Sequence, residues 1–152
     1  MRKAVHVYRQ FSVQGATPMG LVVMLYDGAI IFLQRALAAM EAGDIQKKCA
    51  HLKRALAIIV QLEGILDFQQ GGEAAQTLKA LYIHARAQAM KANIENSPEI
   101  LRPLIEEFTS VRDAWREGEQ RLARQSAGPP AGTSATPQGS SDAETAGLSI
   151  FD

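Results

Sequence analysis

Cys49 and three histidines, His6, His51 and His84, are the side chains in this sequence with the most obvious capacity for chemistry. A nucleophilic thiol needs a base placed to take its proton, and a metal needs several such ligands converging. The histidines fall in three different segments, and none stands at a nucleophile–base or metal-ligand spacing from Cys49. The adjacent carboxylates Glu106 and Glu107 would point apart on a helix, which is poor for shared acid–base work. Gly71-Gly72 lacks the preceding strand and following lysine of a phosphate-cradling loop. The Glu-x-x-His pairs of a ferritin-like di-metal bundle do not occur. No catalytic residue, cofactor or metal is expected. The chain is read as a binding protein rather than an enzyme.

The residues that could bind are apolar, and the stretch from Thr17 to Met40 organises them. Thr17-Pro18 is a helix start, with a hydroxyl for an orphan N–H and a proline suited to the first turn. Leu21, Val22, Val23, Met24 and Leu25, then Ala29, Ile30, Ile31, Phe32 and Leu33, make the helix apolar on most faces, as a central helix with several neighbours should be. Its length also suits a membrane span. However, Asp27 and Arg35 would each cost roughly 2.5–3.5 kcal/mol near a bilayer centre. A buried bundle helix is the expectation, and membrane insertion is not. Tyr26-Asp27-Gly28 interrupts the run: Gly28 is expected to let another backbone approach, and Asp27 to face water or cap a neighbour.

Three further helices follow. Gly43-Asp44 closes the first and caps the second, where Ile45, Leu52, Ile59 and Leu66 recur every seven residues with Cys49 and Leu56 between them, an a/d packing seam. Cys49 is expected to be a small apolar filler there, and His51 and Lys53 to be solvated. Gln70 to Glu73 is a break, and a third helix is expected from about Ala74 to Asn93. Its alanines, Ala85 and Ala89 among them, allow close helix approach and can equally leave a shallow apolar trough. His84 is read as a surface residue. Asn96-Ser97-Pro98-Glu99 starts a fourth helix with an N-cap serine and an acid suited to the macrodipole, and Leu101, Leu104, Phe108, Val111 and Trp115 form its seam.

The 152 residues have no formal net charge. Asp142, Glu144 and Asp152 lie beyond Ser126 with no base beside them, so residues 1–125 carry about +3. That is too mild and scattered for nucleic acid. One cysteine excludes an intrachain disulfide, and no leader pattern opens the chain, so the cytoplasm is expected. The Pro/Gly/Ser-rich residues 126–152 are expected to be a disordered tail, apolar again only at Leu148, Ile150 and Phe151.

The run Pro18…Leu21…Met24-Leu25-Tyr26-Asp27-Gly28-Ala29 resembles the signature of the FliS family, export chaperones of flagellin. Tyr8-Arg9-Gln10, Gly43-Asp44-Ile45, Leu81-Tyr82, Ala92-Asn93-Ile94 and Arg112-Asp113-Ala114-Trp115 agree in order and spacing, so the likeness covers residues 5–120 or so. Phe11, where the family usually has a polar residue, and the long tail depart from it. The resemblance implies an all-α, antiparallel four-helix bundle. Residues 1–125 would be the chaperone domain, with an apolar arm at 1–16 and the bundle at 17–125. It further implies binding of the disordered carboxy-terminal segment of flagellin, protection from premature polymerisation, and delivery to the flagellar export gate. The alternative is a structural or enzymatic helical bundle. The residues expected to contact flagellin are Ile45, Leu52, Leu56 and Ile59 on the second helix, Ala85 and Ala89 on the third, and Tyr8 and Phe11 on the arm. The arm is expected to occupy part of this surface when flagellin is absent.

Overall fold

Caps set where each helix begins and ends. The structure, a computed structural model, describes residues 18–126; the arm with Tyr8 and Phe11, Thr17, and the tail beyond Ser126 lie outside the described residues. Four helices account for them: α1 (Pro18–Ala42), α2 (Ile45–Gly64), α3 (Phe68–Glu95) and α4 (Pro98–Ser126). Gly43 closes α1 at φ +74°, where its N–H bonds Met40 O and the Asp44 N–H reaches Ala39 O, covering two orphan carbonyls. Asp44 then accepts the Lys47 N–H at 3.0 Å and opens α2.

The third helix starts earlier than its sequence indicates. Asp67 accepts the N–H groups of Gln69 and Gln70, so α3 begins at Phe68 rather than near Ala74. The glycine break survives as a kink, with Gly72 at φ 55° and ψ −125°. A strong acidic cap thus recruits one extra turn upstream of the interruption. At the other end Asn96 takes the left-handed conformation, and the Ser97 N–H returns to Ala92 O. The Ser97 hydroxyl donates to Glu99 at 3.1 Å. The Glu99 backbone N–H and that hydroxyl hold its carboxyl below the usual range.

The helices run antiparallel, each packed on its sequence neighbours, with α4 returning to α1. α1 supplies the largest share of the core: Leu21, Val22, Ala29, Leu33 and Ala36 are essentially inaccessible. It is long and apolar enough to cross a membrane by composition, but one side of it packs into the bundle core while Met24 and Ile31 remain exposed on another. A Cβ on Gly28 would stand 3.1 Å from Ile58 Cδ1, so this glycine sets the close approach of α1 and α2. Asp27 neither faces water alone nor caps a helix. It accepts from Arg112 at 2.6 Å and from Arg116 at 3.3 Å, pinning α4 to α1. The carboxylate adds a polar tie to the register that apolar contacts such as Tyr26 on Phe108 also set.

Tyr26 occupies the centre. Its hydroxyl shares a 2.8 Å hydrogen bond with that of Tyr82 on α3, across the diagonal of the bundle, and its ring lies 5.3 Å from that of Phe108. Burial pushes the Tyr26 phenol up to about 12, opposed by its bonds with Tyr82 and Trp115. Burial, and then the neighbouring Tyr26, push Tyr82 higher still. Both phenols therefore hold their protons more tightly folded than unfolded. Their contribution is intact below the unfolded value near pH 10 and is lost as pH rises above it. Urea stability should be flat from pH 7 to 9 and then fall, by up to about 1.4 kcal/mol per pH unit for each phenol. The double variant Tyr26→Phe/Tyr82→Phe should flatten that fall; an equal slope in both proteins would refute the assignment. At neutral pH Tyr26→Phe alone should cost about 1–3 kcal/mol by orphaning the Tyr82 hydroxyl, and the double variant less than the sum of the singles.

Candidate functional site

The face of α3 turned to the core is short. Ala75, Ala85, Ala89 and Ala92 are fully buried there, with Tyr82 the one long side chain among them. Alanines cannot fill the space opposite the first half of α2, and an open groove results. It has a volume of about 220 Å³ and is lined by Cys49, Leu52, Lys53 and Leu56 from α2 and by Ala89, Met90, Asn93 and Ile94 from α3.

Large apolar side chains stand in water along it. Met90 is 55% and Ile94 82% exposed, and Ile45, one turn before Cys49, is 65% exposed. Val60 and Ile83 are also exposed on the same two helices. Each such side chain forgoes a large part of the roughly 1.5–3 kcal/mol that full burial would provide. Six of the eight exposed large apolar side chains among the described residues lie on α2 and α3, the others being Met24 and Ile31 on α1. Met90 and Ile94 line the groove itself, which marks it as a surface to be covered.

Polar contacts hold the groove open at a set width. Lys48 is buried, and its ammonium donates to Asn93 O at 3.2 Å and Asn96 Oδ1 at 3.1 Å. The cation thereby satisfies a carbonyl in the last turn of α3 and complements its dipole. Further along, Arg86 Nη2 pairs with both Glu63 oxygens at 3.1 and 3.3 Å. These two ties join α2 to α3 on either side of the apolar lining.

Of the residues expected to bind, Leu52, Leu56 and Ala89 line the groove, with Leu52 at its floor, only 1% exposed. Ile45 is at the surface. Ile59 and Ala85 are fully buried in the core, and Tyr8 and Phe11 are outside the described residues. The signature residues serve the core instead: Leu25 packs against it, Tyr26 and Asp27 bond α3 and α4, and Gly28 admits α2. Cys49 is exposed, not an apolar filler, and its thiol donates to Asn93 Oδ1 at 3.5 Å; the α2 seam is open at this end because α3 answers it with alanine. His51 is not simply solvated. It stacks on Phe32 at 6.1 Å, on the α1 side, while Cys49 meets α3. His84 is exposed. Met90 and Ile94 were not among the residues expected to bind, although Ile83, Met90 and Ile94 recur at i, i+7 and i+11, a second stripe beside the alanines.

The site therefore offers apolar contact bounded by polar ties. Among the described residues no group of three His, Cys, Asp or Glu side chains is placed to hold a metal ion. Comparison with known proteins gives the family of the chain. The family model for the flagellar protein FliS matches residues 1–122. The flagellar secretion chaperone FliS of Vibrio cholerae is 36% identical over 119 residues, 76% of this chain and 88% of the relative. That of Campylobacter jejuni is 33% identical over 114 residues, 75% and 89% of the two chains. That of Salmonella typhimurium is 32% identical over 118 residues, 74% and 87%. The chain belongs to the FliS family of flagellar secretion chaperones, which are not enzymes.

Proposed function

We propose that this chain is a cytoplasmic chaperone that holds the carboxy-terminal segment of flagellin until export. The observation that carries the reading is the row of large apolar side chains left exposed along the α2/α3 groove of a flagellar secretion chaperone. A segment that stays unfolded until it assembles displays apolar residues at helical spacing, and a groove flanked by two helices accepts them as anchors. Covering those anchors blocks the contacts by which flagellin subunits would polymerise prematurely. Delivery to the export gate then requires release, so shallow anchoring by several residues suits the task better than one deep pocket.

Co-expression with the carboxy-terminal segment of flagellin, followed by size exclusion, tests this directly. Leu56, half-buried in the groove wall, is the informative position. Leu56→Asp and Met90→Asp should each weaken binding at least tenfold, the scale of an interface hot spot, while helicity by circular dichroism is unchanged. Leu52→Asp should unfold the protein instead, because Leu52 is core. Wild-type affinity in both Leu56→Asp and Met90→Asp would rule this groove out as the seat.

The amino-terminal arm is proposed to rest on part of the same groove. Val5, Tyr8 and Phe11 recur at i, i+3 and i+6, so one side of a short helix could present all three. Deletion of residues 1–12 should then raise affinity for the flagellin segment. Unchanged or weaker affinity would mean that the arm does not compete.

A further inference from the structure

The chain beyond Ser126 carries an occupant for the groove. Twenty-one residues, Ala127 to Gly147, rich in proline, glycine and serine, lead to Leu148, Ile150 and Phe151, the first large apolar side chains after the bundle. This segment is also acidic, with Asp142, Glu144 and Asp152 and no base, whereas the bundle at 17–125 is neutral, its 13 basic side chains matched by 13 acidic ones, so the attraction is local to the groove. On the groove side Lys53 lines the wall and Lys91 is exposed beside Met90, and neither has a carboxylate partner among the described residues.

Helix register sets the distance to be crossed. Met19 meets Gly118, so α4 continues eight residues past the start of α1 before reaching Ser126. Gly28 meets Ile58, which places Leu52 about level with Gln34, some fifteen residues along α1 from Met19. At about 1.5 Å per residue the groove lies roughly 35 Å along the bundle from Ser126. A Gly/Ser-rich chain of twenty-one residues has a root-mean-square span of about 25 Å and, extended, reaches about twice the required distance. At that span and separation the effective concentration of the apolar segment at the groove is on the order of a millimolar.

We infer that Leu148, Ile150 and Phe151 dock in the α2/α3 groove as a tethered ligand that an export client must displace. The inference rests on the reading of that groove as the client's seat. Weak docking is sufficient at millimolar effective concentration, and the acidic flank beside Lys53 and Lys91 favours this segment over a neutral one.

The experiment compares three proteins: the full chain, a truncation after Ser126, and the full chain with Leu148→Ser, Ile150→Ser and Phe151→Ser. Methyl-labelled methionine supplies the reporter and its control, because Met90 lines the groove and Met24 is exposed on α1. The Met90 methyl resonance should move to the same new position in the truncation and in the triple variant, with Met24 unmoved in both. Affinity for the flagellin segment should rise about three- to tenfold in the two altered proteins. An identical Met90 resonance in all three, or equal affinity in all three where the flagellin segment binds, overturns the inference. If the segment of flagellin binds none of the three while Met90 still moves, the client assignment is wrong and the docking stands.

Discussion

Tyr26 and Tyr82 meet hydroxyl to hydroxyl where no water can replace either partner, and this bond sets the spacing of the bundle. It joins α1 to α3 across the diagonal, so the separation of those helices is fixed by the length of two phenol side chains. An aliphatic pair would let them slide or collapse. The bonded pair permits one distance, because leaving either hydroxyl unmet costs a full desolvation penalty. Around it, α1 is drawn tightly to α2 by Gly28 and tied to α4 by Asp27, while α3 keeps its distance.

The groove follows from that arrangement. α3 reaches the core through Tyr82, with Leu78 and Leu81 packed against it, but beyond Tyr82 it presents Ala85, Ala89 and Ala92, so it cannot fill the seam with α2 over the turns that hold Leu52 and Leu56. Lys48 and the Arg86–Glu63 pair prevent the seam from closing or splaying. A buried ammonium on a helix end is strong in this setting because carbonyls at a C-terminus carry partial negative charge. The apolar lining is thus held apart by polar contacts at both flanks and by an aromatic strut beneath. The side chains that a helix pair would normally bury against each other remain available to a third partner.

The four helices, the central place of α1 and the hinges at Gly43-Asp44 and Ser97-Pro98 were legible in the sequence, since periodicity and capping chemistry are local. The site was legible only in part. Seven-residue spacing located Leu52 and Leu56 on the right helix but assigned Ile45 and Cys49 to a packed seam, because spacing does not reveal how long the opposing side chains are. Alanines at Ala89 and Ala92 decide that question, and they sit on another helix. The same limit hid Met90 and Ile94, whose stripe reads as ordinary core until their neighbours are placed. Asp27 illustrates the reverse: its partners Arg112 and Arg116 were visible as residues, but the first lies eighty-five positions further along the chain.

Cys49 gives the groove a chemical handle. It is the sole cysteine of the chain, exposed, and part of the lining. A thiol-reactive dye would therefore attach at one position without any engineered residue, and at the mouth of the groove. Its emission would report whether apolar surface or water lies against it. Occupancy by any segment could thus be followed in real time in the otherwise unaltered protein, and a spin label at the same sulfur would measure how far away the bound segment's own labelled positions lie. The same placement also means that alkylating reagents used in routine purification would decorate the binding surface itself, and such samples would understate its affinity.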